Sequence, residues 1–310
     1  MRVAIVGVGG VGGFFGGKMA RYYAGDGAVE MVFIARGAHL RAIQEGGLRV
    51  TTPEEEFTAR PDFATDDPAG CGIFDLALFC VKTYDLEQAV ALVRENLGKE
   101  SRVITLMNGV DNTARLRDAL PGVRILNGCA YVSTRIVRPG HVQQTGGFAK
   151  LFFGAEQGDP APFRPIEGLM RGAGIDATCR EDIRQAVWEK YLFISPSATL
   201  TSALGKTFGE VLADNQARGL LEGLIAETGA LAEKEGIRIP DTLVDTVLEK
   251  MASFPPGTRT SMQLDFERGG RAELETFTGY VVRAGKALGV AVPLHERIYD
   301  DLRKRLDSGP

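Results

Sequence analysis

Apolar residues follow two rhythms along this chain. Up to about residue 132, short aliphatic runs alternate with amphipathic stretches; after Asp182 only the helical period remains. The runs Val3–Val6, Val29–Ala35, Phe74–Val81, Val103–Leu106 and Arg124–Val132 read as strands. Gly12–Tyr23, His39–Glu45, Leu86–Leu97 and Asn112–Leu120 read as the helices between them. Such alternation predicts a mostly parallel sheet with helices on both faces. From Ile136 to Gly154, β runs broken by Pro139-Gly140 and Gly146-Gly147 predict a hairpin-like extension of that sheet.

Past the boundary, Asp182 stands where it can cap a helix whose apolar side includes Ile183, Ala186, Val187 and Tyr191. A helix over Asn215–Glu235 carries Leu221, Leu224, Ile225, Thr228 and Leu231 on one face and stops at Gly236. Thr242–Met251, Met262–Glu267, Glu273–Leu288 and His295–Leu306 fit further helices. The expected organisation is an α/β Rossmann-type dinucleotide-binding domain over residues 1–181, followed by an all-α domain over 182–310. A substrate of such a chain is expected to react in the cleft between them.

Composition narrows the function classes. A chain of 310 residues, 44% apolar and 25% charged, has room for two domains with sizeable cores. A net charge of −4, with no like-charge block longer than Glu54-Glu55-Glu56, gives no reason to expect nucleic acid or a membrane surface as partner. No apolar stretch is long enough to span a bilayer, and the apolar start runs into glycines rather than a signal-peptide cleavage site. Cys71, Cys80, Cys129 and Cys179 form no CxxC pair and read as reduced thiols of a cytoplasmic protein. With only His39, His141 and His295 available, no metal site is expected. The helical half is the candidate surface for a homodimer.

The first strand runs into Gly7-Val8-Gly9-Gly10-Val11-Gly12, a G-x-G-x-x-G turn in the context that gives this motif meaning. Gly7 serves the tight turn, Gly9 the approach of a pyrophosphate, and Gly12 close packing of helix on sheet. Gly10 and Val11 open a helix whose free N–H groups and dipole favour phosphate. The second strand ends at Arg36, where an NAD-preferring unit usually carries Asp or Glu; a guanidinium there suits the 2′-phosphate of NADP(H). The plainer reading of Arg36 is a solvated surface residue.

Lys82 and Asn108 follow two further strands, at the edge where open α/β sheets bind ligands. Lys82 suits a phosphate or carboxylate, and Asn108 the ribose or nicotinamide; both also suit ordinary loops. In Trp188-Glu189-Lys190, the lysine is flanked by residues that favour burial, so it must find a partner for its charge or lose the charge. That suits a general acid for a developing alkoxide, although a snorkelling surface lysine gives the same pattern. Ser261 reads either as a helix N-cap or as a contact for a substrate carboxylate. Asp265 and Glu273 read as surface groups or as charge partners in the site.

The ordered set resembles the ketopantoate reductase (2-dehydropantoate 2-reductase) family over almost the whole chain. It comprises the glycine turn, Ala35-Arg36-Gly37-Ala38-His39-Leu40, Cys80-Val81-Lys82-Thr83-Tyr84-Asp85, Met107-Asn108-Gly109-Val110, Trp188-Glu189-Lys190 and Ser261-Met262…Asp265…Glu273. The resemblance implies that Gly9, Gly12, Arg36 and Lys82 bind NADPH, with Asn108 near nicotinamide and substrate. It implies that Lys190 is the proton donor, Glu273 its acidic partner, and Ser261 a substrate contact. One departure stands out. The family's two asparagines, four and eight residues after the lysine, are replaced by Ile194 and Ala198. Ser195 and Ser197 could compensate in part if the helix shifts register at Pro196. The expectation is NADPH-dependent reduction of a small 2-oxo acid, with ketopantoate the leading substrate. The alternatives are a different 2-oxo acid and an NADP-binding sensor without turnover.

Overall fold

The computed structural model describes residues 1–307. The chain divides into two compact units, Met1–Val187 and a second that begins at Trp188.

The first unit begins β1 (Arg2–Val6), α1 (Gly10–Tyr22), β2 (Glu30–Ile34), α2 (Gly37–Gly46), β3 (Leu48–Thr51), β4 (Glu56–Ala59), β5 (Phe63–Thr65), β6 (Leu76–Phe79) and α3 (Leu86–Val93). It continues with β7 (Arg102–Thr105), α4 (Asn112–Ala119), β8 (Arg124–Arg138), β9 (His141–Gly154), α5 (Arg164–Gly172) and β10 (Asp176–Cys179). The strands form one sheet in the order β4-β3-β9-β8-β7-β6-β1-β2-β5, with β10 beside β9. From β5 across to β8 every pairing is parallel. This is a Rossmann-like, doubly wound arrangement, in which strand order reverses beside β1.

Alternation along the central strands explains why both faces need cover. Val3, Ile5, Met31, Phe33, Leu76 and Leu78 point into one core, which α1 and α5 complete. Ala4, Val6, Val32, Ile34, Ala77 and Phe79 point into the other, with α3 and α4. A strand buried on both faces reads as a continuous apolar run, which is why these stretches of four or five residues were legible.

β8 and β9 form the expected hairpin, antiparallel and joined at Pro139-Gly140, but β8 runs to Arg138 rather than ending near Val132. Its outer half is largely exposed, Ile136 and Val137 included, so burial gives no signal there. The expected strand list omits β3, β4, β5 and β10, each of three or four residues, and α5. These strands are half-buried or exposed on one face, so they lack the continuous apolar run that marks the equally short β6 and β7.

The second unit is helical. Its first helix, α6 (Ile183–Leu204), starts inside the first unit, where Ile183, Ala186 and Val187 pack around Cys129. The Asp182 carbonyl accepts the first helical bond from Ala186, while the Asp182 carboxylate pairs with Arg180 through two bonds of 2.6 and 2.7 Å. α6 is continuous through Pro196, so the chain keeps its helical register there. Then come α7 (Phe208–Ala213), α8 (Asn215–Lys234), α9 (Leu243–Ala252), α10 (Ser261–Glu267), α11 (Tyr280–Leu288) and α12 (Pro293–Asp307). α7 was missed because six residues show no period; its Thr207/Glu210 capping box was the available signal.

The stretch expected as one helix over Glu273–Leu288 departs from that reading. Glu273 precedes the helix, and Glu275–Gly279 is wound as a π-helix before α11 begins. No helix among the described residues is long and apolar enough to cross a membrane.

Candidate active site

The glycine turn leaves β1 at Gly7, whose φ of +95° only glycine adopts readily and whose N–H donates to the Ile34 carbonyl at 3.0 Å. A Cβ on Gly7 would come within 2.7 Å of the Val81 side chain, and one on Gly12 would collide with the Gly7 carbonyl oxygen. Gly10 lies against the Thr134 backbone. Gly9 is different: no atom lies within 4 Å of where its side chain would be. It is the N-cap of α1, so the N–H groups of the first turn, from Gly10 to Gly12, have no acceptor within the helix. Packed glycines on either side of one open glycine, at a helix N-terminus, make a cradle that a Cβ would fill and an anion suits. Beneath it, burial pushes the Cys80 thiol up to about 12.

β2, β1, β6 and β7 are parallel neighbours, so their carboxyl ends share one edge. That edge brings together Arg36, the glycine turn, Lys82 and Asn108. Arg36 is the N-cap residue of α2; its side chain is 68% exposed, 2.8 Å from the Asp85 carboxylate and 3.2 Å from the Gln88 amide oxygen. Lys82 is half-buried and precedes a short 3₁₀ turn, Thr83–Asp85. Asn108 is half-buried, and its carbonyl accepts from Asn112 Nδ2 at 2.7 Å. Gly109, at φ +108°, lets the chain turn there into α4. Asp85, Gln88 and Asn112 are the partners that sequence reasoning missed. Asp85 lay in the quoted motif, without any sign that it would meet Arg36.

In the second unit, Lys190 is half-buried on α6 between the buried side chains of Trp188 and Tyr191. The Tyr191 hydroxyl lies 2.8 Å from the Thr276 carbonyl and 3.0 Å from that of Phe277. Ser195 Oγ donates to the Phe277 carbonyl at 2.7 Å, and Thr199 and Thr278 share a hydroxyl bond of 2.8 Å. Trp188, Tyr191 and Tyr280 meet edge to face. All these ties run from α6 to residues 276–280, just after Glu273, which is only 3% exposed. A π-helix leaves carbonyls turned away from the regular ladder, and such turns are frequent at functional sites.

Ser261 is corrected in one respect. The N-cap of α10 is Thr260, whose hydroxyl accepts from Gln263 N at 3.3 Å; Ser261 is the first helical residue and is exposed. Two hydroxyl residues in succession compete for the cap, and Thr260 is the one with extended backbone. Thr260 Oγ1 also lies 2.9 Å from Thr201 Oγ1, which ties α10 to α6. Asp265 is half-buried, as is Ile194, and Ala198 is buried at 3% exposure. Among the described residues, no cluster of His, Cys, Asp and Glu could hold a metal.

A doubly wound unit with a glycine cradle at its carboxyl edge, followed by a helical unit carrying a half-buried lysine, is the make-up of a two-domain oxidoreductase of the dinucleotide-binding kind. The chain belongs to the ketopantoate reductase family. The pattern described as Ketopantoate reductase PanE/ApbA matches residues 3–158, and that of its C-terminal part matches 182–305. Among curated relatives, the chain is 29% identical to 2-dehydropantoate 2-reductase of Halobacterium salinarum, over 98% of each chain. It is 25% identical to the uncharacterized oxidoreductase YkpB of Bacillus subtilis, again over 98% of each. The crystal structure of 2-dehydropantoate 2-reductase from Porphyromonas gingivalis superposes with a TM-score of 0.85 at 35% identity, covering 97% of this chain and 99% of that one.

Proposed function

We propose that this protein reduces a small 2-oxo acid with NADPH, that ketopantoate is its leading substrate, and that Lys190 is the general acid. The observation that carries the reading is the tie between Tyr191 and the Thr276 and Phe277 carbonyls. It fastens the chain next to Lys190 to the chain next to Glu273, the pair that the family resemblance assigns to catalysis.

The functional division is residues 1–181 for the cofactor and 182–310 for proton transfer, the last three lying outside the described residues. Gly7 and Gly12 shape the turn, while Gly9, Gly10 and Val11 offer open space and N–H groups to a pyrophosphate. Arg36, held at the end of β2 beside Asp85, meets the 2′-phosphate, and Lys82 adds a second positive charge. Asn108, steadied by Asn112, orients the nicotinamide side and the ketone. When bound, NADPH supplies the hydride. Lys190 Nζ gives the proton to the oxygen of the former ketone, and Glu273 orients the lysine. Ser261 contacts the substrate carboxylate from the first turn of α10. A cytoplasmic setting accompanies this reading, with all four cysteines present as thiols. A homodimer through the helical half is part of the same proposal.

Ile194 and Ala198 favour a second reading, reduction of a 2-oxo acid other than ketopantoate, because neither offers a polar atom where the family carries amides. The test is NADPH oxidation by the purified protein against a panel of 2-oxo acids that includes ketopantoate. Turnover on ketopantoate above all others supports the first reading, and a different best acid supports the second. NADPH binding with no oxidation on any acid overturns both and leaves a sensor.

A further inference from the structure

Four hydroxyl residues alternate along α6, Ser195, Ser197, Thr199 and Thr201, and all are buried. Three have partners. Ser195 Oγ donates to the Phe277 carbonyl, Thr199 Oγ1 meets Thr278 Oγ1, and Thr201 Oγ1 lies 2.8 Å from the Ser197 carbonyl and 2.9 Å from Thr260 Oγ1. Ser197 is the exception: it is 1% exposed, and its Oγ has no hydrogen-bond partner. A buried hydroxyl on a helix ordinarily closes onto the carbonyl one turn back, as Thr201 and Thr228 do here. Ser197 does not.

Its place on the helix gives this orphan a meaning. Seven residues after Lys190, Ser197 lies within about 20° of the lysine's meridian at 3.6 residues per turn. Because α6 is continuous through Pro196, that spacing holds. Ile194 occupies the same stripe one turn from Lys190, and Ala198 borders it. Along the axis Ser197 stands between the two positions where the family resemblance implies amides; around the axis it lies about 60° from Ile194 and about 100° from Ala198, on the lysine's other side. Of the serines that could compensate, Ser195 is committed to Phe277, which leaves Ser197. The other unpartnered hydroxyl on this helix, Ser202 Oγ, sits about 120° around the axis from Lys190, on another face.

We propose that Ser197 Oγ reads a hydroxyl on the tail of the substrate. The protein then takes a branched 4-hydroxy-2-oxo acid and discriminates against the same acid without that hydroxyl. The inference rests on the reductase reading above. One serine hydroxyl both donates and accepts, so a substrate hydroxyl satisfies it and is satisfied in return. Ile194 and Ala198 pack against the carbon branches and offer no competing polar atom. An analogue lacking the hydroxyl leaves Ser197 buried and unpaired, the condition under which a site rejects a ligand most strongly.

The test uses two acids that differ by that one group, ketopantoate and 3,3-dimethyl-2-oxobutanoate, with NADPH oxidation as readout. NADPH fluorescence titration checks that each protein is folded. The wild-type protein should prefer ketopantoate by about tenfold or more in kcat/KM. Ser197→Ala should lose about tenfold on ketopantoate and keep its rate on the analogue, so that the preference disappears. Equal use of the two acids by the wild-type protein overturns the proposal without any variant. So does a Ser197→Ala protein that binds NADPH and slows equally on both, or on neither. NADPH binding with no oxidation of either acid by the wild-type protein overturns the reductase reading itself, a result distinct from lost discrimination.

Discussion

The Tyr191 hydroxyl lies 3.0 Å from the Phe277 carbonyl, and the same carbonyl accepts from Ser195 Oγ at 2.7 Å. One oxygen of the π-helical turn thus receives two side chains from α6. Lys190 is the residue before Tyr191, and Glu273 lies four residues before Phe277, so this contact sets the register of the two segments that carry the proposed proton transfer.

Tyr191→Phe removes the one hydroxyl hydrogen that the Thr276 and Phe277 carbonyls share, while Ser195 Oγ still donates to Phe277. Stability should fall by about 1–3 kcal/mol in urea denaturation, and kcat should drop several-fold with the NADPH affinity unchanged. A variant of lowered stability and full kcat would show that the tie serves the fold alone.

The glycine turn separates packing from binding. Gly12→Ala forces its Cβ into the Gly7 carbonyl and should lower the melting temperature together with cofactor affinity. Gly9→Ala meets no atom of the protein, so the variant should melt like the wild-type protein while binding NADPH about tenfold or more weakly. Unchanged NADPH affinity in Gly9→Ala would contradict the cradle.

Arg36 offers a charge test. Arg36→Ala should weaken NADPH binding by about tenfold or more and leave NADH binding within a factor of about two, as read by parallel titrations, since only NADPH carries the 2′-phosphate. Equal losses on both cofactors would place Arg36 in the fold rather than at the phosphate.

Glu227 gives the pH dependence. Burial alone would raise its pKa, but His295 Nδ1 at 2.7 Å and the N–H groups of Leu294 and His295 at 2.7 and 3.0 Å outweigh burial and hold it below the usual 4.5. A depressed carboxylate contributes stability that is present above its unfolded value and is lost as pH falls through the folded one. The helical unit should therefore lose stability below about pH 4.5, as α12 loses the carboxylate that caps its first turn. Glu227→Gln should flatten that part of the stability–pH curve and cost about 1–3 kcal/mol at neutral pH.

How much of this was legible beforehand follows from burial and period. β1, β2, β6 and β7 are buried on both faces, so their apolar runs and the glycine turn announced the parallel core and its binding edge. β3, β4, β5 and β10 are exposed or half-buried on one face and so show no continuous apolar run, and the outer half of β8 is largely exposed. The π-helix was hidden because Leu274, Phe277, Val281 and Leu288 keep an ordinary helical spacing, which does not distinguish π from α winding. Ser261 and Thr260 are both good caps, and only backbone conformation separates them. Tyr191 read as an apolar helix residue because its hydroxyl partners lie 85 and 86 residues away.

Lys190 carries the central claim. The direct measurement is steady-state NADPH oxidation with ketopantoate by the wild-type protein and by Lys190→Ala, alongside NADPH titration of both. The account predicts turnover by the wild-type protein and a loss of at least about a hundredfold in kcat for the variant, with cofactor affinity kept. Turnover by Lys190→Ala at the wild-type rate would contradict it.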